Sequence, residues 1–312
     1  MSDIVITEFM NEKVVGELAA QFEVTYDPTL FRDTTRLSGL LADARALIVR
    51  NQTQVNSALL DRAPRLRAVG RLGVGLDNID TPGCRARSIE VFPATGANAR
   101  AVAEYVLAVT IMLLRGAFST TDAVAGGRWP RELVAGGLEA KDRTMGLIGF
   151  GEIGQLVASI VKPIGMQVAV YDPAVPSEHH ALSALEAVRH DSLDSLLSSS
   201  DVVSLHIPLN EVTRGLLSSD RIESMKPGSI LINTARGGIV DEGAALAALR
   251  SGRLRGLALD VFEREPLDGG RFPEKLPGLI LTPHIAGLTS EANDRVSMLI
   301  AQRVKKFLGE SL

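Results

Sequence analysis

Short apolar runs alternate with helix-like segments along most of the chain. The first series of strand-like runs falls at residues 3–9, 22–27, 46–50, 66–72 and 89–95, and a helical pattern from Glu12 to Gln21 follows the first run. Strands separated by helical segments at this spacing predict a parallel sheet joined by crossover helices.

A second series begins at Thr144, with strand-like runs at residues 144–150, 167–172, 202–207, 229–235, 254–262 and 279–284. All but the fifth are apolar almost throughout, as expected for strands covered by helices on both faces. Before this series, the pattern predicts one long apolar helix over 98–116. A Gly-rich polar segment that contains Trp129 follows it and is expected to extend from the body of the domain, and it is called the Trp129 excursion below. A helix over 290–308 closes the chain. The predicted fold class is α/β, with two Rossmann-like domains built on doubly wound parallel sheets.

Composition narrows the range of partners. Aromatic residues make up 4% of the chain, which argues against a base-stacking surface, and the net charge of -4 does not favour a polyanion. We therefore expect no nucleic-acid partner. The most apolar stretch contains Glu104 and is too short to span a bilayer, so we expect no membrane association.

The cysteine count and the first residues bear on location. Cys84 is the single cysteine, so it can form no internal disulfide and belongs to no cysteine metal cluster. The opening MSDIVITEFM has no basic region before an apolar run, unlike a secretory signal. We expect a cytoplasmic protein without a bound metal.

The run GLIGFGEIGQLVA carries a dinucleotide fingerprint. Gly149, Gly151 and Gly154 fit G-x-G-x-x-G directly after an apolar run and at the start of a helical one. In such a turn the first glycine permits the bend, the second lets the backbone approach a pyrophosphate, and the third lets the helix pack closely on the strand. The helix N-terminus then offers N–H donors to the phosphates.

Asp172 lies at the end of the next strand, roughly 20 residues past the glycines, where an acid binds the adenine ribose hydroxyls. A carboxylate there repels a 2′-phosphate, and no arginine occurs in the following PAVPSEHH. The pattern therefore favours NAD over NADP. The alternative is that Asp172 only begins a turn before Pro173.

A second glycine pair, Gly73 and Gly75, occurs in RLGVGLDNID, but Asn78 occupies the place of a third glycine. We interpret this segment as a turn that exposes the backbone N–H groups of Val74 and Gly75 to a substrate carboxylate. A purely structural turn fits the local sequence equally well.

Four side chains near predicted strand ends are candidates for the chemistry, two of them as alternatives for one role. Arg236 precedes a Gly-Gly pair, and its planar guanidinium could form two hydrogen bonds with a carboxylate. His284 could exchange a proton near neutral pH. A carboxylate bonded to this histidine would fix its tautomer, and spacing alone leaves Glu263 and Glu265 both open. The alternatives are an ordinary surface arginine, a loop histidine and a solvated acidic loop. We place His206, at another strand end, beside the cofactor.

Together, the motifs resemble those of the D-isomer-specific 2-hydroxyacid dehydrogenase family over nearly the whole chain. They are GFGEIG, NTARGGIVDEGAAL with its final leucine displaced to Leu246, ALDVFEREP, TPHIAG, LGVGLDNID and ATGANARAVAEYV. The resemblance implies that Arg236 binds the substrate and that Glu265, not Glu263, pairs with His284 as the proton carrier. It also implies that Asp260 holds the nicotinamide amide and that the Val74 and Gly75 backbone binds the substrate carboxylate.

The resemblance further implies that a nucleotide domain, 98–288, is inserted in a substrate domain formed by 1–97 and 289–312. The long helix and the Trp129 excursion resemble the family's dimerisation region, so we expect a homodimer without the regulatory domain of some longer relatives. The expected contacts of the NAD cofactor are Gly149, Gly151, Glu152, Ile153, Gly154, Asp172, His206, Pro208, Thr213, Thr234, Ala235, Asp260, His284 and Gly287. The expected substrate contacts are Arg50, Asn51, Val74, Gly75, Asn98 and Arg236, and Arg71 and Arg100 are further candidates for a substrate tail.

The function expected from these residues is hydride transfer between NAD(H) and C2 of a small D-2-hydroxy acid, with Arg236, Glu265 and His284 as catalytic set. Hydroxypyruvate, glyoxylate, 3-phosphoglycerate and sulfolactate all remain compatible substrates, and the opening DIVITEFM and the ATGANA segment resemble sulfolactate dehydrogenases. An alternative is an NAD-sensing binding protein like the family's co-repressors, with little turnover. The complete Arg–Glu–His set favours an enzyme.

Overall fold

The computed structural model describes residues 2–273 and 275–309, except for the side chains at positions 117 and 118. The strands are β1 (Ile4–Ile6), β2 (Val24–Tyr26), β3 (Ala46–Val49), β4 (Ala68–Arg71), β5 (Glu90–Pro93), β6 (Thr144–Ile148), β7 (Gln167–Tyr171), β8 (Ala187–Arg189), β9 (Val202–Leu205), β10 (Ser229–Asn233), β11 (Leu254–Leu259) and β12 (Leu279–Leu281). The α-helices are α1 (Glu12–Ala19), α2 (Thr34–Leu41), α3 (Ser57–Leu60), α4 (Thr81–Ala86), α5 (Ala99–Arg115), α6 (Thr121–Ala125), α7 (Glu152–Val161), α8 (His180–Ala184), α9 (Leu193–Ser199), α10 (Ser219–Ser224), α11 (Glu242–Arg250) and α12 (Ser290–Gly309).

The chain divides into two compact units. One runs from the start of the chain to Asn98 and resumes at Leu288, and the other is Ala99–Gly287. The first unit therefore contains β1 to β5, α1 to α4 and the final helix α12.

The sheet of the first unit has the parallel order β2-β1-β3-β4-β5. Successive side chains of a strand point to opposite faces, and both faces are covered here. Ile4 and Ile6 pack in one core with α1 and α12, whereas Val5 packs in another with Leu37 and Leu41 of α2. The close approach of α12 to β4 requires a glycine, because a Cβ on Gly70 would lie 2.6 Å from Cγ2 of Ile300.

The sheet of the second unit has the parallel order β12-β11-β10-β9-β6-β7-β8. One core lies between this sheet and the helices α5 and α7, and a second lies against α9, α10 and α11. Asp241 caps α11 by accepting a hydrogen bond from the Ala244 N–H at 2.9 Å, which satisfies one of the free donors at the helix start.

The predicted fold class is confirmed, since both sheets are parallel and helices cover both of their faces. The details differ from the sequence prediction, mainly because most strands are shorter than the predicted runs. The first helix ends at Ala19 rather than near Gln21, and β10 and β12 end at Asn233 and Leu281, so that Arg236 and His284 lie in the following loops. The edge strand β8 has no counterpart in the sequence prediction. Among the described residues, no helix has both the length and the apolarity needed to span a membrane.

Candidate active site

The glycine-rich turn joins β6 to α7, and two of its glycines are required by close approaches. Gly149 has φ of +96°, and a Cβ there would lie 2.4 Å from the carbonyl oxygen of His206. A Cβ on Gly154 would lie 2.3 Å from the carbonyl oxygen of Gly149. A larger residue at Gly154 would push the helix away from the turn that precedes it, and one at Gly149 would collide with the segment after β9.

Gly151, in contrast, borders open space at the start of α7. It is the N-cap residue, no side chain caps the helix, and a Cβ there would meet nothing within 4 Å. The first N–H groups of a helix, here those of Glu152 and Ile153, have no partner within the helix. These two N–H groups have no acceptor in the described part of the chain. Free donors beside open space suit a pyrophosphate, so the residues of this turn fit a dinucleotide.

Asp172 follows β7 and is held by two backbone donors. Its Oδ2 accepts from the Phe150 N–H at 2.8 Å and its Oδ1 from the Ala174 N–H at 2.9 Å. The first bond ties the carboxylate to the glycine-rich turn. An ionised carboxylate has about four lone-pair positions, so it retains capacity for ribose hydroxyls.

The remaining residues predicted to contact NAD follow the strands of the same sheet. Carboxyl ends of parallel strands meet at one edge, where open α/β sheets bind ligands. The hydroxyl oxygen of Thr234 is buried and has no hydrogen-bond partner among the described residues. The others are His206, Pro208 and Thr213 after β9, Ala235 after β10, Asp260 after β11, and His284 and Gly287 after β12.

His206 is a neutral member of this group. Burial lowers the pKa of its imidazole to about 4, so the ring carries no charge at neutral pH. Its Nε2 lies 3.0 Å from the hydroxyl of Ser204, with which it shares a hydrogen bond. His206 therefore contributes shape and hydrogen bonding rather than positive charge.

The structure brings His284 and Glu265 together. The Nδ1 atom of His284 lies 2.8 Å from Oε2 of Glu265, and Oε1 of Glu265 accepts from the Phe262 N–H at 2.9 Å. Burial alone would raise the pKa of Glu265. The hydrogen bonds from His284 and Phe262, with the charges of His284 and Arg236, outweigh it and lower the pKa below 4.5. The carboxylate therefore stays ionised beside the imidazole.

Arg236 lies close enough to add to this charge balance. Its Nη1 donates to the carbonyl of Ala235 at 2.6 Å, and its own carbonyl accepts from Nδ2 of Asn233 at 2.9 Å. The next residue, Gly237, packs against Phe262, since a Cβ there would lie 1.8 Å from the Phe262 carbonyl oxygen. Because the Phe262 N–H binds Glu265, the structure brings all three predicted catalytic residues into one region of the second unit.

Glu263 occupies a different position. It is exposed, its N–H donates to Oε1 of buried Glu242 at 2.6 Å, and its carboxylate faces Arg271. Spacing alone left both glutamates open, and the geometry selects Glu265 as the partner of His284.

Asp260 holds the loop that carries His284. Its side chain, 1% exposed, accepts from the N–H groups of Ile285 and Ala286, each at 2.8 Å, and from the Thr282 hydroxyl at 2.6 Å. His284 adopts φ of +58°, a left-handed conformation that is uncommon outside glycine. The predicted contact of Asp260 with the nicotinamide amide needs the lone pair that these bonds leave.

Two residues of this arrangement escaped the sequence analysis. Thr282 donates to Asp260, so the Tyr105 hydroxyl, 2.6 Å away, donates to Thr282. A Tyr–Thr–Asp chain thus extends from α5 to the His284 loop. The threonine of the TPH motif was the only signal in the sequence, because the partners are separated by 22 and 177 positions.

The first unit contains the predicted substrate residues other than Arg236. The Arg50 guanidinium contacts Asn293 and the carbonyl of Leu72, and it lies 5.8 Å from the ring centroid of Phe9. Burial lowers the pKa of Arg50, and the charge of Glu8 opposes this shift. Asn51 follows in the same loop and is exposed.

The turn after β4 leaves donors available. Within residues 2–273 and 275–309, the N–H groups of Val74 and Gly75 have no hydrogen-bond acceptor, and Val74 is exposed. Oδ1 of Asn98 is buried without a hydrogen-bond partner in the same part of the chain. Of the further candidates for a substrate tail, Arg100 pairs with Glu104 at 2.5 Å along α5, and Arg71 donates to the Leu72 carbonyl at 3.0 Å.

Comparisons with known proteins point to one family. A family model described as "D-isomer specific 2-hydroxyacid dehydrogenase, NAD binding domain" matches residues 107–286. The chain is 50% identical over 309 residues to (S)-sulfolactate dehydrogenase of Chromohalobacter salexigens, and the match covers 99% of both chains.

Two further relatives show how the likeness extends. The chain is 39% identical over 259 residues to D-3-phosphoglycerate dehydrogenase of Archaeoglobus fulgidus, which covers 83% of this chain but only 48% of that protein. A crystal structure of D-lactate dehydrogenase from Aquifex aeolicus, complexed with NAD and lactic acid, superposes with a TM-score of 0.86 at 29% identity. That match covers 98% of this chain and 96% of the other.

Proposed function

The chain belongs to the D-isomer specific 2-hydroxyacid dehydrogenase family, and on this basis we propose that its substrate is a 2-hydroxy acid with an anionic group on C3, sulfolactate being the first candidate. Membership makes the protein an NAD-dependent oxidoreductase that acts at C2 of a 2-hydroxy or 2-oxo acid. It also favours an enzyme over an NAD-sensing binding protein.

The observation that carries the chemical part of the proposal is the 2.8 Å contact between Nδ1 of His284 and Glu265, with the charge of Arg236 nearby. A carboxylate on Nδ1 favours the tautomer with its proton on Nδ1, which leaves Nε2 as the proton acceptor. Nε2 of His284 then takes the C2 hydroxyl proton in oxidation and returns it in reduction. Glu265 stabilises the imidazolium formed in between.

Bound NAD supplies the nicotinamide that exchanges hydride with C2 of the substrate. Glu152 and Ile153 hold its pyrophosphate through their N–H groups, and Asp172 binds its adenine ribose. Thr234 offers a hydroxyl to the cofactor, and His206, Pro208, Thr213, Ala235, Asp260 and Gly287 complete the proposed contacts.

Substrate recognition is divided by chemical group in this proposal. Arg236 and the N–H groups of Val74 and Gly75 bind the C1 carboxylate, and Asn98 adds its amide. Arg50 and Asn51 bind the anionic group on C3 of the substrate. We propose that residues 1–97 and 289–312 form the substrate domain and that residues 98–288 form the NAD-binding domain, to which Asn98 and Arg236 belong.

The configuration of the relative's substrate agrees with the family name. In lactate, the carboxyl group outranks the methyl group in the priority rules, but in sulfolactate the sulfur-bearing C3 outranks the carboxyl group. The same spatial arrangement at C2 is therefore labelled R in D-lactate and S in sulfolactate. An enzyme specific for the D arrangement would act on the (S) form.

Self-association is a second part of the proposal. Trp129 and Leu133 are 81% and 82% exposed, and Val124, which lines a pocket with Trp129, is also exposed. A cluster of exposed apolar side chains marks an interaction surface. We assign it to a homodimer, which sedimentation should show, and Trp129→Ser with Leu133→Ser should shift the protein to monomers. Equal sedimentation of the variant and the wild type would reject this surface.

We also place the protein in the cytoplasm. The single cysteine, Cys84, is buried, and burial raises the pKa of its thiol, which suits a reduced state. Cell fractionation tests this location, and recovery of the protein outside the cytoplasm would refute it.

A panel of 2-oxo acids that differ at C3 tests the substrate class through NADH oxidation. We expect kcat/KM for sulfopyruvate to exceed that for hydroxypyruvate and glyoxylate by about ten-fold or more, the worth of one charge-assisted contact. Arg50→Met should narrow this difference. Turnover of none of these acids would overturn the redox role, and a preference for hydroxypyruvate would overturn the anionic C3 group alone.

A further inference from the structure

Glu8 is a buried acid that the proposed reaction does not use. It follows β1, its side chain is 3% exposed, and its carboxylate accepts hydrogen bonds from four consecutive backbone N–H groups. Oε1 accepts from Arg50 at 2.8 Å and Thr53 at 3.0 Å, and Oε2 accepts from Asn51 at 3.1 Å and Gln52 at 2.9 Å.

The same four-residue loop is held from its carbonyl side. Nδ2 of Asn78 donates to the carbonyl of Arg50 at 3.2 Å and to that of Thr53 at 2.7 Å. The hydroxyls of Thr53 and Thr7 hydrogen-bond at 2.7 Å. The backbone of residues 50–53 is therefore fixed by bonds on both sides.

Only a carboxylate satisfies this set of donors. Each oxygen of Glu8 receives two N–H groups, and an ionised carboxylate is an acceptor at both oxygens. An amide would replace one oxygen by an NH2 group that faces two N–H donors. Among the residues that the structure describes, no lysine, arginine or histidine side chain forms an ion pair with Glu8, so the loop's amides are its polar contacts.

The loop that Glu8 holds carries Arg50. The Glu8 bond fixes the arginine backbone, and Asn293 and the Leu72 carbonyl fix its guanidinium. No carboxylate lies within ion-pair distance of Arg50 in residues 2–273 and 275–309. The charge of Glu8 acts on Arg50 without forming an ion pair. A half-buried guanidinium that is oriented at both ends in this way is preorganised for an anion from outside the chain.

We infer that Glu8 is a positioning residue for substrate recognition, which orients Arg50 toward the anionic group on C3 of the substrate. This inference rests on the proposed function, because it takes Arg50 as the reader of that group. It predicts that Glu8 affects selectivity among 2-oxo acids and leaves cofactor binding and proton transfer unchanged.

The test compares Glu8→Gln with the wild type on sulfopyruvate and glyoxylate, with NADH as cofactor. Glyoxylate has no C3, so it cannot use the Arg50 contact. We expect KM for sulfopyruvate to rise roughly ten-fold, as for a misdirected charged hydrogen bond, with kcat for glyoxylate and NADH affinity within about two-fold of wild type. Glu17→Gln is the matched control, because Glu17 is exposed on α1 and its change removes the same charge.

A double-mutant cycle separates positioning from general destabilisation. If Glu8 acts through Arg50, then Glu8→Gln should add little to the selectivity already lost in Arg50→Met. Additive losses, or equal losses on sulfopyruvate and glyoxylate, would overturn the inference.

Should Glu8→Gln fail to fold, Glu8→Asp retains the charge with a shorter reach and should show a smaller loss of the same selectivity. Unchanged selectivity in Glu8→Asp would then count against the role. Absence of wild-type turnover on every acid would instead reject the proposed function, so the two failures are distinguishable.

Discussion

A buried carboxylate organises a functional loop in each unit, but the two carboxylates hold different chemistry. Glu8 of the first unit accepts four consecutive N–H groups and fixes the loop of Arg50. Asp260 of the second unit accepts two N–H groups and one hydroxyl and fixes the loop of His284. One loop presents a guanidinium for recognition and the other an imidazole for proton transfer.

The difference lies in how each loop is strained and supported. The His284 loop needs an uncommon backbone conformation, with φ of +58°, and its carboxylate is reinforced by Thr282 and Tyr105. Glu8 and Asn78 secure the Arg50 loop through its backbone groups, and the hydroxyl bond between Thr53 and Thr7 adds to them. A change in the first unit should therefore alter KM and selectivity, and a change in the second should alter kcat.

The largest expected effect is that of His284→Ala, which removes the proton carrier. We expect kcat to fall roughly 10²–10⁴-fold, the usual worth of general acid–base catalysis, while NADH still binds. Steady-state kinetics and NADH fluorescence titration measure the two quantities. A near-normal kcat would contradict the proposed role of the His284 loop in proton transfer, and the contrast with the Arg50 loop would no longer hold.

Next in size is Glu265→Gln, which keeps the shape but removes the charge beside His284. We expect kcat to fall by about 10–100-fold, since the imidazolium loses its counter-charge. Stability should respond to pH as well. The lowered pKa of Glu265 means that its charge stabilises the folded state above pH 4.5 and that this contribution is lost as pH falls through the lowered pKa.

Unfolding measured between neutral and acidic pH tests this second effect. Wild type should lose stability more steeply than Glu265→Gln below pH 4.5, so the two curves should converge there. Parallel curves would show that the contact does not shift the pKa of Glu265.

Asp260→Asn should produce a smaller loss of activity with a clear loss of stability. The amide places an NH2 group against the N–H groups of the loop, which leaves buried donors unpaired at a cost of about 1–3 kcal/mol. We expect kcat to fall about ten-fold, because the misplaced imidazole transfers protons less well. Glu211→Gln, on an exposed loop, controls for the lost charge. An unchanged kcat would show that Asp260 does not position the His284 loop in the way that Glu8 is proposed to position the Arg50 loop.

The smallest expected effect is that of Thr282→Val, which removes the hydroxyl between Tyr105 and Asp260. We expect kcat to fall only about two- to five-fold, with a stability loss near the ~1 kcal/mol of one net hydrogen bond. Tyr105→Phe should resemble it more weakly. A loss as large as that of Asp260→Asn would mean that the hydroxyl, not the two N–H groups, sets the loop.

The fold was predictable because its signals are local. The apolar run at 46–50 became β3, and glycines at fixed offsets marked the cofactor turn. The strand β8 was missed because its three residues at the sheet edge, Ala187–Arg189, include an arginine and an exposed valine and show no apolar run.

The supporting contacts of the candidate site were not predictable in the same way. Glu8 is separated by 42 to 45 positions from the amides it binds, and nothing local distinguishes it from a loop glutamate. The pairing of His284 with Glu265 rather than Glu263 likewise depends on a tertiary contact. Such contacts follow from how strand ends are brought together, which residue spacing along the chain does not encode.

The passage of the chain out of the first unit at Asn98 and back at Leu288 has a consequence for biosynthesis. The sheet of that unit is translated early, but α12, which covers β4, emerges only after the whole second unit. At ~5–20 residues per second, the ribosome needs on the order of 10–40 s for the intervening segment. During this interval the apolar face around Gly70 lacks the Ile300 side chain that later covers it. The nascent chain therefore exposes an apolar surface of the kind that chaperones bind.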